Sequence, residues 1–127
     1  MVRSRYLTPD HLILALKAGD FYASSGVTLN NCEFDAATKT LMLDIVPQSG
    51  AEYETQFIAT LRPQTAGELP SQERIGQVVD TVSGLQPTYQ LTGNELYVRA
   101  LVSSSLDHPD PSLPDQKQQA WTQPVGW

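Results

Sequence analysis

From residue 20 onward the chain alternates between short runs rich in β-branched and aromatic residues and clusters of turn-forming residues, with no helical period between them. That arrangement restricts the fold more than any other feature. Strands that follow one another without intervening helices are joined by hairpins and arches, so they pair antiparallel, and a set this large covers its apolar faces by stacking two sheets. The runs are residues 20–24, 27–34, 40–47, 53–61, 75–82, 88–91, 96–104 and 120–125. Asp35-Ala36-Ala37-Thr38-Lys39, Gln48-Ser49-Gly50, Ser83-Gly84, Gly93-Asn94 and the proline-rich stretch 107–115 punctuate them, and residues 62–74, with Pro63, Gly67 and Pro70, read as a loop. Leu41, Leu43 and Ile45 alternate onto one face, as do Leu96, Val98, Ala100 and Val102. The expected fold is mainly β, an immunoglobulin-like antiparallel β-sandwich over residues 20–127 with a short N-terminal α-helix. Tyr97, close behind the Gly93-Asn94 turn, is the candidate for a tyrosine corner whose hydroxyl bonds back to the preceding backbone.

The helix is framed by its own signals. Thr8 supplies an N-cap hydroxyl, Pro9 fits the first helical position, Asp10 suits the first turn, and Gly19 is the stop. Residues 1–19 are thus a helical element expected to pack on the sandwich, the whole forming one domain. At about 100° per residue, Leu12, Ile13, Ala15 and Leu16 fall on one broad side and Leu14 projects from the other beside Ala18. Leu14 and Ala18 are the candidate interface, and a homodimer with helices near a two-fold axis is the expected assembly.

A chain of 127 residues buries about two thirds of the surface its unfolded form exposes, so it needs neither metal nor disulfide to fold. Cys32 is the single cysteine, which precludes an internal bridge, and it reads as a small strand residue. Net charge is −6, with eight Lys and Arg scattered singly. Nucleic acid and anionic membrane surfaces are therefore poor partners. Arg3 and Arg5 precede an apolar run of only five residues, Leu12 to Leu16, flanked by Asp10, His11 and Lys17. That is too short for a signal peptide or a membrane span, and an export signal, if the parent has one, is expected upstream.

Candidate chemistry is sparse. His11 and His108 are far apart in sequence. Asp107, His108 and Asp110 form a weak candidate ligand loop for a divalent ion, read first as a solvated turn because Pro109 and Pro111 hold it extended. Ser24-Ser25 and Ser103-Ser104-Ser105 lie in no nucleophile elbow and read as satisfied turns, and Gly19 follows a helix, the wrong polarity for a phosphate loop. Trp121 and Trp127 carry the stacking surface a saccharide would need. No catalytic residue, metal ligand or cofactor site can be named, since no nucleophile, base and orienting group fall together.

The stretch Ala18-Gly19-Asp20-Phe21-Tyr22-Ala23-Ser24-Ser25-Gly26 after a helix resembles the segment that closes the catalytic domain of the PHP-superfamily metal-dependent phosphoesterases, many of which carry a β-sandwich tail. Glu95-Leu96-Tyr97-Val98-Arg99-Ala100 with Ser103-Ser104, then His108-Pro109, and Ala120-Trp121-Thr122-Gln123-Pro124-Val125 look like the end of such tails. The resemblance covers about the first quarter and last third of the chain. It implies a non-catalytic accessory module whose partner is a missing or adjacent catalytic domain, the metal ligands, beginning with an H-x-H, lying upstream of Thr8. None of them matches a position here, so no catalytic residue is carried over. A ligand-binding module using Trp121 and the 107–115 loop, for a saccharide or calcium, is the alternative of a different class; a small independent enzyme is the third reading.

Overall fold

Gly19 ends the helix as the sequence leads one to expect. In the computed structural model, which describes residues 1–127, α1 spans Pro9–Ala18 and Gly19 takes the left-handed conformation at φ 78°. The Asp20 N–H donates to Ala15 O at 2.9 Å and the Gly19 N–H to Leu16 O at 3.2 Å, the paired closure of a Schellman motif. The start differs from expectation. Thr8 makes no side-chain cap; its Oγ1 lies 2.6 Å from His11 Nδ1 instead.

Eight strands follow: β1 (Tyr22–Ser24), β2 (Leu29–Asp35), β3 (Thr40–Ile45), β4 (Tyr53–Leu61), β5 (Gln77–Ser83), β6 (Thr88–Gln90), β7 (Glu95–Asp107) and β8 (Lys117–Thr122). They form two antiparallel sheets, five strands ordered β1-β8-β7-β4-β5 and three ordered β2-β3-β6. The expected β-sandwich is present, in a strand order other than the ABED and CFG sheets of immunoglobulin constant domains. Each expected run carries a strand, with shifted ends. Residues 62–74 are loop until a single 3₁₀ turn, Gln72–Arg74. The proline-rich stretch is the arch between β7 and β8, and β7 runs on to Asp107 because Ser105 N–H donates to Glu52 O while Ser105 Oγ accepts from Glu52 N–H, both at 2.9 Å.

The core lies between the sheets. Phe57, Ala59, Val98, Ala100, Val102 and Ala120 from the larger sheet meet Leu29, Leu41, Leu43 and Ile45 from the smaller, with Val27 and Tyr53 closing the ends. Both predicted alternations are realised except at one position: Leu96 is only half-buried, and Glu95 is buried in its place. The register shows why. Thr60 pairs with Tyr97 and Leu61 with Glu95, so Leu96 is an extra residue, a β-bulge that reverses the parity of the strand's first residue. A second bulge in β2 falls between Leu29, opposite Ile45, and Asn31, opposite Asp44. It lets Leu29, Cys32 and Phe34 all point inward despite their odd spacing.

One side chain replaces a backbone partner. Thr122 Oγ1, buried, accepts from the Ala100 N–H at 2.9 Å where β8 ends, and Val125 then resumes pairing with Val98 through bonds of 2.9 and 2.8 Å. Tyr97 forms no tyrosine corner. Its hydroxyl receives a bond from Thr60 Oγ1 at 2.8 Å, from the residue paired opposite it on β4. Thr55 Oγ1, in contrast, is buried with no partner.

Val98 is fully buried and Arg99 exposed. Val98→Asp is expected to cost about 4 kcal/mol or more, enough to abolish the folding transition, since it strands a charge between the sheets, whereas Arg99→Ser should change stability by less than about 0.5 kcal/mol. Urea unfolding followed by circular dichroism distinguishes them. Thr55→Val, which removes an unpaired buried hydroxyl at similar shape, should be neutral or raise the urea midpoint, because nothing is left unsatisfied.

Candidate functional site

The N-terminal helix offers the largest unexplained apolar surface. Ala15 is the only residue of α1 that is buried, Leu12 is half-buried, and Ile13, Leu14 and Leu16 are 49%, 64% and 46% exposed. Of the four residues expected to seat the helix, Ile13 and Leu16 are thus exposed, and neither Ala15 nor Leu12 belongs to the core cluster between the sheets. Leu14 and Ala18 are both exposed, as a candidate interface requires. Leu7 and Tyr6, 91% and 51% exposed, extend the apolar surface ahead of the helix. His11 sits edge-on to Tyr6 with ring centres 4.9 Å apart, and it belongs to no cluster of three ligating side chains.

The 107–115 loop does not draw its three candidates together. Asp107 Oδ1 is held by Lys117 Nζ at 2.6 Å, and His108 Nδ1 accepts from the Asp110 N–H at 3.0 Å. Both contacts shape the arch: His108 N–H also donates to Gln116 O at 2.8 Å, and Ser112 N–H to Gln116 Oε1 at 2.8 Å. No three His, Cys, Asp or Glu side chains converge in the molecule. The serines serve the backbone. Ser24 Oγ accepts from Gly26 N–H at 3.1 Å, Ser25 Oγ from Gln119 N–H at 2.9 Å and Ser104 Oγ from Leu106 N–H at 3.1 Å. Trp121 is half-buried on the outer face of the larger sheet, in register with Ala23 and Leu101, while Trp127 stands 92% exposed and apart from it.

One chemically charged group escaped the sequence reading. Glu95, 3% exposed, accepts bonds from Tyr89 Oη at 2.5 Å, from Thr92 N–H at 2.9 Å and Gly93 N–H at 3.1 Å, and from Thr92 Oγ1 at 3.0 Å. Burial pushes its carboxyl up, but the bonds from Tyr89, its own backbone and Thr92 outweigh that and hold it below the ordinary glutamate range. The same contact works the other way on Tyr89, whose phenol is driven well above its usual value by burial and then by the neighbouring carboxylate. The bonds come from the turn that joins β6 to β7, at Thr92 and Gly93, and from Tyr89 in β6 before it. The arrangement clasps that turn and has no open position for a substrate. The signal in the sequence was Thr92 and Glu95 flanking Gly93-Asn94, three positions apart, a spacing that lets one carboxylate gather the turn's amides.

No protein-family model matches the chain, and no curated protein or solved structure matches it either. No helix is long and apolar enough to cross a membrane.

Because the folded pKa of Glu95 lies below its unfolded one, its stabilisation is complete above the unfolded value of about 4.3 and is lost as pH falls through the folded value. Glu95→Gln should cost about 1–3 kcal/mol at pH 7, since an amide NH2 then faces backbone donors. The difference from wild type should shrink as pH drops below about 4. Urea midpoints between neutral and acid pH test this, and a gap constant with pH would contradict it.

Proposed function

We propose that the chain is a non-catalytic accessory module, a β-sandwich that an apolar helix fastens to a neighbouring domain. The single observation that carries this is the surface of α1: three large aliphatic side chains about half exposed or more on a ten-residue helix seated by one alanine. An isolated helix of this length is marginal in water, and its stability comes from packing of an apolar face. Here the sandwich supplies little of that packing, so a second surface is the natural source. The resemblance to the tails of PHP-type hydrolases names the kind of neighbour, a catalytic barrel that would bring its own metal ligands. The role of this chain beside it is to shape and stabilise the rim of the catalytic domain.

Chemistry within the chain has little to work with. The hydroxyls of Ser24, Ser25 and Ser104 are engaged with backbone amides, Asp107 is paired with Lys117, and Glu95 is closed inside its turn. In the absence of its neighbour, the Leu14 and Ala18 face is expected to meet a second copy across a two-fold axis, since such an axis covers one patch with its equal.

Light scattering of the purified chain at high micromolar concentration should report a dimer, and Leu14→Glu should give a monomer with an unchanged circular dichroism spectrum. A wild-type monomer under these conditions overturns the self-association. The same preparation should hold no stoichiometric zinc, iron or manganese and should not hydrolyse p-nitrophenyl phosphate; stoichiometric metal with turnover that His108→Ala abolishes overturns the accessory reading.

A further inference from the structure

The sheets are unequal, and the mismatch is felt at one side. β1 is an edge of the five-stranded sheet and β2 an edge of the three-stranded one. Between these edges the chain's first residues cross over: Val2 bridges to Phe21, and the Arg3 N–H donates to Asp20 O at 2.7 Å. They roof a cleft of about 270 Å³ whose walls include Phe21, Tyr22, Leu29, Cys32 and Val125, with Arg3 among its lining residues. A strut keeps it open. Tyr22 Oη, from β1, accepts from the Leu29 N–H of β2 at 2.9 Å, tying the two edges together without filling the space. The β2 bulge adds to this by turning Cys32 inward. Burial pushes the Cys32 thiol up, with Arg3 opposing weakly, so the wall it forms is neutral.

Arg3 is exposed and carries no carboxylate partner. The one ion pair in the molecule is Lys117 with Asp107, and the sole side-chain contact of Arg3 is a long 3.4 Å bond to Asn31 Oδ1. A guanidinium has five N–H donors in a planar fork suited to a carboxylate, and most of these are unused here. We propose that the cleft binds a small amphipathic monoanion, its short acyl chain or single ring between the sheet edges and its carboxylate on Arg3. Three properties set the class. Seven of the twelve lining residues are hydrophobic, which calls for an apolar body. The volume lies just below the usual range for drug-sized ligands, which limits that body to roughly ten heavy atoms. Asp20 also lines the cleft, and the Met1 ammonium there already donates to Tyr22 O at 2.9 Å; with Arg3 as the guanidinium left over, in a chain of net charge −6, a single negative charge is favoured over a phosphate dianion.

None of the residues that line the cleft belongs to α1, so its test can fail while the accessory role stands. Uniformly 15N-labelled chain titrated with sodium decanoate should show saturable shifts at the Leu29, Cys32 and Val125 amides. Arg3→Gln, an exposed substitution whose amide spectrum should otherwise match wild type, is expected to weaken binding about tenfold, and 1-decanol should bind wild type about tenfold more weakly than decanoate. As a second reading, decanoate should slow N-ethylmaleimide labelling of Cys32, the only cysteine, in wild type more than in Arg3→Gln. Absence of localised shifts in the millimolar range overturns the proposal. So does equal affinity for decanoate in wild type and Arg3→Gln, which would reduce the cleft to a non-specific apolar patch.

Discussion

The antiparallel ladder between β4 and β7 is the constraint on which the rest of the structure depends. It runs from Tyr53 opposite Ser104 to Leu61 opposite Glu95 and presents Phe57, Ala59, Val98, Ala100 and Val102 as one apolar surface. Ala59 and Ala100 on this surface share one buried cluster with the bulkier Leu41 and Ile45 of the opposing sheet. Phe57 carries the connection furthest. Its ring stacks on Tyr89 of the smaller sheet at 5.3 Å, and Tyr89 in turn donates to Glu95 at the start of β7, so one chain of contacts leaves the larger sheet, crosses the core and returns.

What lies outside that ladder is less well covered, and both candidate surfaces follow from this. Three strands cannot shield the inner faces of five. At the β1 edge the deficit is met by residues 1–3 and a tyrosine strut, which leaves a cleft where a symmetric sandwich would have core. The helix is closed by good backbone geometry at Gly19, but Ala15 is its one buried residue and Leu12 its one half-buried aliphatic. Its larger apolar side chains are therefore a property of the sequence for which the fold supplies only part of the burial. Since Ile13, Leu14 and Leu16 are 46–64% exposed, about half of the ~1.5–3 kcal/mol that full burial of such a side chain yields remains available to whatever covers them.

Strand positions were legible because each run had a local cause: alternation in β3 and β7, Asp35 Oδ1 accepting from Ala37 and Thr38 N–H groups to close the first hairpin, and prolines in the β7 to β8 arch. The turn clasp at Glu95, the Tyr97 contact with Thr60 and the strand order were not. Each depends on a β-bulge or on which strands neighbour one another, and an extra residue in a ladder leaves no trace in the period of the strand that contains it. The resemblance to PHP-type tails rests on short segments whose residues the fold uses as turns and sheet pairs, and such segments specify local geometry far more strongly than they specify a partner.

The sequence by itself determined that this chain makes a helix from Pro9 to Ala18 and then an all-antiparallel sandwich, since caps, turn residues and alternation act within a few positions of one another. Only the tertiary structure decided that Glu95 is buried, that Ile13 and Leu16 are not, and that Arg3 stands unpaired at the rim of an open cleft. Those outcomes turn on the unequal width of the two sheets and on two bulges, and both are set by packing among residues distant in the chain.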